Sequence, residues 1–127
     1  MSTLKVNTIQ NTSAAHSSTP EEIAQGRAKV WVNFNGTGTV AIRDSFNVSS
    51  ITDLSTGKYK ITYSSAFSNT NYCILTGQAT KNENDSDSRY ITEVLERTTS
   101  YMEVEHAFIA NGSSRDDSNF MYFAVMA

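Results

Sequence analysis

The sequence predicts a mainly β protein: an antiparallel β-sandwich of about seven strands, preceded by an extended N-terminal arm and one short helix. Three observations carry this. Small uncharged polar residues dominate, with 17 Ser, 15 Thr and 11 Asn making 43 of 127 residues. Ser and Asn compete with helical backbone bonds, and Thr favours pleated surfaces. From Lys29 onward, apolar residues recur with a period of two, and turn signals separate the runs at short intervals.

The elements follow in order. Residues 1–26 read as an attachment arm, and residues 27–127 as the sandwich domain. In the arm, Leu4, Val6 and Ile9 are isolated apolar positions in a polar segment. A strand that cannot bury its own face needs a partner, so these three side chains are expected to mediate attachment or oligomerisation. Thr19-Pro20-Glu21-Glu22 supplies an N-cap, a first-position proline and a capping box, which predicts a helix over 20–25 with Gly26 as its C′ stop.

Val30, Val32 and Phe34 then alternate with Trp31 and Asn33, which leaves Trp31 as a candidate subunit contact. Asn35-Gly36-Thr37-Gly38 is a turn, Val40 and Ile42 share a face, and Arg43-Asp44-Ser45 interrupts before Phe46 and Val48. Tyr59, Ile61 and Tyr63 alternate after a Thr56-Gly57 turn. Tyr72 to Thr76 is apolar on both faces and is expected to be central, with Cys73 buried. Strands are expected at Tyr90–Glu96, Tyr101–Ile109 and Phe120–Met126. The last is strongly apolar and so expected to be central in a sheet or buried between subunits.

Composition narrows the function. No stretch approaches the ~20 apolar residues of a membrane helix, and Met1 to Gln10 lacks an apolar signal core. Membrane insertion and secretion are therefore not expected. A single cysteine excludes an intramolecular disulfide, and two histidines exclude a histidine-rich metal site within one chain. Ten basic residues are scattered singly, which argues against nucleic acid as a partner. No cofactor is expected. Residues 81–127 hold nine acidic and four basic side chains, so the final third is acidic.

Three constellations bear on chemistry. Glu103 and Glu105 share a strand face, as glycoside hydrolysis would require of two carboxyls, but a solvated face explains the alternation better. His106 points the other way, as a structural side chain. The loop Asn82, Glu83, Asn84, Asp85, Ser86, Asp87 carries alternating oxygen ligands without the glycine and closing glutamate of a calcium hand, so a polar turn is the simpler reading. The long polar loops instead suit contact with a host surface or a neighbouring protein. Their candidate residues are Asn82, Asn84, Asp85, Asp87 and Arg89 in one, and Arg115, Asp116 and Asp117 in the other.

The opening Ser2-Thr3-Leu4-Lys5-Val6-Asn7-Thr8-Ile9-Gln10-Asn11-Thr12-Ser13 resembles the amino-terminal segment of tail-fibre-like virion proteins of bacteriophages, notably marine and cyanobacterial ones. Arg27-Ala28-Lys29-Val30-Trp31-Val32-Asn33-Phe34-Asn35-Gly36-Thr37-Gly38 is similar to their KAWVNFNGTG stretch. The likeness continues through Ala41 to Asp53, Gly57-Lys58-Tyr59 and Asn71-Tyr72, spanning roughly residues 2–75. It implies a non-enzymatic virion component on the particle exterior, assembled in the host cytoplasm. It implies a homotrimer that burys Leu4, Val6 and Ile9 between chains and attaches to other virion proteins through the arm. The leading expectation is a short tail-fibre or spike module presenting loops to a host glycan or protein. A capsid head fibre or cement protein is the runner-up, and a carbohydrate-binding lectin the third.

Overall fold

The computed structural model describes residues 2–13, 17–77, 90–109 and 114–127. Two short bridges, β1 (Ile9–Gln10) and β2 (Ser17–Ser18), pair with each other and join neither main sheet. Helix α1 (Pro20–Gly26) begins as the sequence dictates. The Thr19 hydroxyl accepts from the Glu22 amide at 3.2 Å, and the Glu22 carboxylate accepts from the Thr19 amide at 2.7 Å. Its end differs from expectation: Gly26 is the last helical residue, and an extended Arg27 caps it at φ −89° and ψ 141°. No left-handed glycine stop is used there.

The sandwich is built from β3 (Ala28–Asn35), β4 (Ala41–Phe46), β5 (Val48–Ser55), β6 (Lys58–Tyr63), β7 (Cys73–Thr76), β8 (Tyr90–Arg97), β9 (Tyr101–Phe108), the two-residue β10 (Ser114–Arg115) and β11 (Met121–Met126). One antiparallel sheet runs β4-β3-β11-β7. The other runs β5-β6-β9-β8. β6 and β8 both pair with residues 102–105 of β9, so they flank it on opposite sides, and β10 continues the β6 side beside Ala107 and Phe108.

Alternation places the core. Val30, Val32, Phe34, Met121, Phe123 and Val125 point inward from the first sheet, and Tyr59, Ile61, Tyr63, Met102 and Val104 from the second. The Phe34 and Tyr59 rings meet edge to face across the sandwich at 5.2 Å. A buried side chain of this size contributes about 1.5–3 kcal/mol over an exposed one, so this layer dominates the stability.

Two readings of the sequence need correction. The Arg43-Asp44-Ser45 segment does not interrupt a strand; β4 runs through it, and a register shift between Asn33 and Phe34 accommodates the extra residue as a bulge. β7 is not central. It pairs with β11 alone among the described residues and forms the rim of its sheet, so Cys73 is exposed. β11 does lie in mid-sheet, between β3 and β7.

The chain changes sheets between β4 and β5 at Asn47, which adopts φ 57°. Asn tolerates that left-handed conformation better than most residues. Its amide fixes the corner, donating to the Lys29 and Ser65 carbonyls at 3.2 Å each and accepting from the Ser65 amide at 2.7 Å. At the opposite end, Gly57 turns β5 into β6 at φ 69°. A Cβ there would collide with the His106 carbonyl. Gly57→Ala is expected to lower the unfolding free energy by about 1–3 kcal/mol or more, from left-handed strain plus the clash, measured by chemical denaturation.

Candidate interaction surfaces

The strand directions give the sandwich two unlike ends. β3 starts at the arm end, and there too lie Asn47, residues 64–68, the hairpin from Thr98 to Tyr101 and the final residue Ala127. The far end carries the turn after Asn35, the Gly57 turn and residues 116–120. It also carries Gly77 and Tyr90, which bracket the segment 78–89, and Ile109 and Ser114, which bracket 110–113. Asn82, Asn84, Asp85, Asp87 and Arg89, with the calcium-like pattern at 82–87, fall outside the described residues.

Of the second expected loop, Arg115 lies in β10 and reaches the outer face of its sheet, where its guanidinium pairs with Glu105 at 2.7 Å. Asp116 and Asp117 are half-buried. Asp117 accepts from the Gly57 amide at 2.7 Å and from the Tyr59 hydroxyl at 2.8 Å, and that hydroxyl also lies 3.0 Å from the Gly36 carbonyl. Burial, and then the bond to Asp117, push the Tyr59 phenol far above its ordinary range, so it remains a donor. Asp117 therefore pins the far-end turns instead of projecting from them. Thr37 adds a second tie, donating to the Asn119 side chain at 2.6 Å.

Glu103 and Glu105 do share the outer face of the second sheet, with Glu96 and Glu93 directly opposite. Lys58 lies 3.1 Å from Glu103, and Lys60 sits 3.8 Å from the Tyr101 ring centre. The Tyr101 hydroxyl donates to Glu96 at 3.0 Å. This is an open face on which Lys58, Lys60 and Arg115 lie among the four carboxylates, and neither the arm groove nor the cleft beside Phe46 includes it. Among the described residues no group of three His, Cys, Asp or Glu is placed to hold a metal ion.

The arm is apolar on the outside. Leu4 is 86% exposed, Ile9 56% and Val6 40%. They line a groove of about 520 Å³ shared with Ile23 and Ala24 of α1. Trp31 lies half-buried at the centre of the first sheet's outer face. Phe46 and Ala124 are its register neighbours, and Leu75 pairs with Ala124, so one apolar row crosses all four strands. Phe46 and Leu75 are 54% and 52% exposed. The sequence marked Trp31 but missed this row. The outward parity of Phe46, Ala124 and Leu75 was readable only once the register was known. Phe46 also walls a second cleft, of about 740 Å³, with Arg27, Lys29, Asn47, Phe67 and residues 64–66.

Comparison with known proteins finds no matching family, no matching curated protein and no matching solved structure. Among the described residues no helix is long and apolar enough to cross a membrane.

Among the described residues, His106 is the one fully buried titratable side chain facing the core beyond the tyrosines. Its ring stacks on Tyr90 at 5.0 Å, and its Nδ1 lies 3.2 Å from the Thr92 hydroxyl. Its Nε2 has no hydrogen-bond partner. Burial lowers its pKa from 6.5, opposed by Asp116 and Asp117. As pH falls through about 6.5, the unfolded chain takes up a proton that the folded chain resists. Stability is therefore full above that pH and declines below it. Denaturation between about pH 7 and 5 is expected to show this loss, at no more than about 1.4 kcal/mol per pH unit, and His106→Phe is expected to flatten it.

Proposed function

We propose that the chain is a non-enzymatic virion structural module, a short tail-fibre or spike piece that assembles as a trimer on the exterior of a phage particle. The observation that carries the proposal is the uncovered arm: Leu4, Val6 and Ile9 stand exposed on a segment that, among the described residues, forms no strand pairing with either main sheet. Burying each such side chain would contribute about 1.5–3 kcal/mol, which the isolated chain leaves unused. The resemblance across residues 2–75 supports the same reading. The two unlike ends of the sandwich support this reading, since attachment through the arm would leave the end with the Gly57 turn free. Copies held together would present their surfaces multiply, so that weak contacts with a host glycan or protein gain avidity.

Capsid decoration is the second reading, and the apolar row Phe46–Trp31–Ala124–Leu75 favours it. A plate lying on a lattice buries a face, whereas a spike buries an end. Copy number per particle separates the two: decoration follows capsid symmetry and leaves host adsorption unaffected by changes in residues 81–89 or 112–118.

The test is particle incorporation of a Leu4→Asp, Val6→Asp double variant. Wild-type chain is expected in purified virions. The variant is expected to be depleted at least about tenfold, since two apolar contacts of this size exceed 1.4 kcal/mol. Its melting temperature is expected to match wild type within a few degrees, because the arm lies outside both sheets. Wild-type chain found only as free protein in infected cells would overturn the proposal.

A further inference from the structure

The larger cleft sits at the arm end and is built for an acidic, partly apolar occupant. Arg27 and Lys29 line it, and among the described residues neither side chain has an ion pair or hydrogen bond. Phe46 and Phe67 form apolar walls, and Ser64 and Ser65 bring hydroxyls. The Asn47 amide at its floor is already committed to Lys29 and Ser65. The cleft is lined from Arg27 onward, so this chain's own helix takes no part in it.

The complementary surface is on the same chain. α1 carries Glu21 and Glu22 in its first turn and no cation in its last. Glu22 is engaged in the capping box, which leaves Glu21 as the available carboxylate. Ile23 lies 38% exposed beside it, and the apolar arm continues that surface.

We propose that the arm-end cleft of one copy receives α1 of a second copy, with Glu21 of the partner subunit against Arg27 and Lys29. Ile23 of the partner subunit then covers Phe46 and Phe67. This rests on the assembly role proposed above for the arm and names the surface that receives it. The contact is heterologous: helix on one copy, cleft on the next. Such a contact repeats from chain to chain and closes as a ring where the rotation divides the circle, by three in the proposed trimer. Opposite charges at a largely apolar contact fix register and partner choice.

Sedimentation of the full chain over a range of concentrations tests this. Wild type is expected to associate. Glu21→Lys alone, and Arg27→Glu with Lys29→Glu, are each expected to weaken association about tenfold or more, and the triple variant to restore it. None of these touches the capping box, and circular dichroism checks each fold. A readout on unaltered protein accompanies it: carbodiimide coupling in a mixture of isotopically labelled and unlabelled chains. A mixed-label peptide joining Glu21 to Lys29 is expected. A wild-type chain that stays monomeric overturns the proposal, as does association indifferent to Arg27→Glu/Lys29→Glu, absence of recovery in the triple variant, or coupling within single chains only. Loss of heparin binding in Arg27→Glu/Lys29→Glu with association unchanged also overturns it, in favour of an anionic ligand. These measurements use purified protein, so they can fail while the chain is still found in virions, which would leave the structural role standing.

Discussion

The far end of the sandwich depends on one hydrogen-bonded carboxylate. Asp117 accepts from the Tyr59 hydroxyl and from the Gly57 amide. Tyr59 is fully buried, and its ring is packed against Phe34 of the opposite sheet. The clamp therefore ties three things that sequence separation would leave independent: the β5–β6 turn, the segment entering β11, and the centre of the core. The Gly57 turn is closed further by the His106 amide, which donates to the Gly57 carbonyl at 2.7 Å. A charged acceptor roughly doubles the strength of such bonds. Half-buried beside the core, it also penalises any arrangement that leaves the buried phenol unpaired.

The two ends are held by different chemistry, and this fits their proposed roles. The far end is polar and cross-tied, with Tyr59, Asp117, Thr37 and Asn119 in direct bonds. Turns tied in this way are already ordered, which reduces the ordering cost of any contact they make. The arm end is aromatic: Tyr63, Phe67 and Tyr72 pack on one another, and the Tyr72 hydroxyl donates to the Thr98 carbonyl at 2.7 Å. Beside that cluster the Arg27–Phe46–Phe67 cleft opens, and the exposed arm begins. Apolar surface and unpaired cations are thus gathered where assembly would occur.

Much of the fold was legible in residue order, for physical reasons. The capping box announced α1 because Thr19 and Glu22 can satisfy each other's amides only at that spacing. Tyr59, Ile61 and Tyr63 announced β6 because a strand with one buried face must alternate. Rank within a sheet was not legible. Cys73-Ile74-Leu75 is apolar on both faces, as a central strand is, yet it lies at a rim with Cys73 and Leu75 exposed. Alternation reports which way a side chain points, not what stands beyond it. The candidate surfaces were legible in the same partial way. Leu4, Val6 and Ile9 stand out as isolated apolar positions in a polar segment, whereas the local pairing of Ile9–Gln10 with Ser17–Ser18 leaves no mark in the pattern. The sequence shows Asp117 only as a loop acid, because its partners are some 60 residues distant and no local pattern encodes such a bond.

The excess of Ser, Thr and Asn takes its meaning from how these side chains are spent. Asn35 both donates to the Thr37 carbonyl at 2.8 Å and accepts from the Thr37 amide at 3.3 Å, and Thr98 caps the β8–β9 hairpin through the Ser100 and Tyr101 amides. Asn69 accepts from the Asn71 amide at 2.8 Å. Turns closed this way need neither disulfide nor salt bridge, so their closure is insensitive to redox state and to ionic strength. The same economy leaves few charges on the surface, with DEKR residues at 18%. On such a surface an isolated cation faces little local competition from other charges. Arg27 and Lys29, unpaired at the lip of an apolar cleft, are for that reason a stronger recognition signal here than two basic residues would be on an ordinary, densely charged domain.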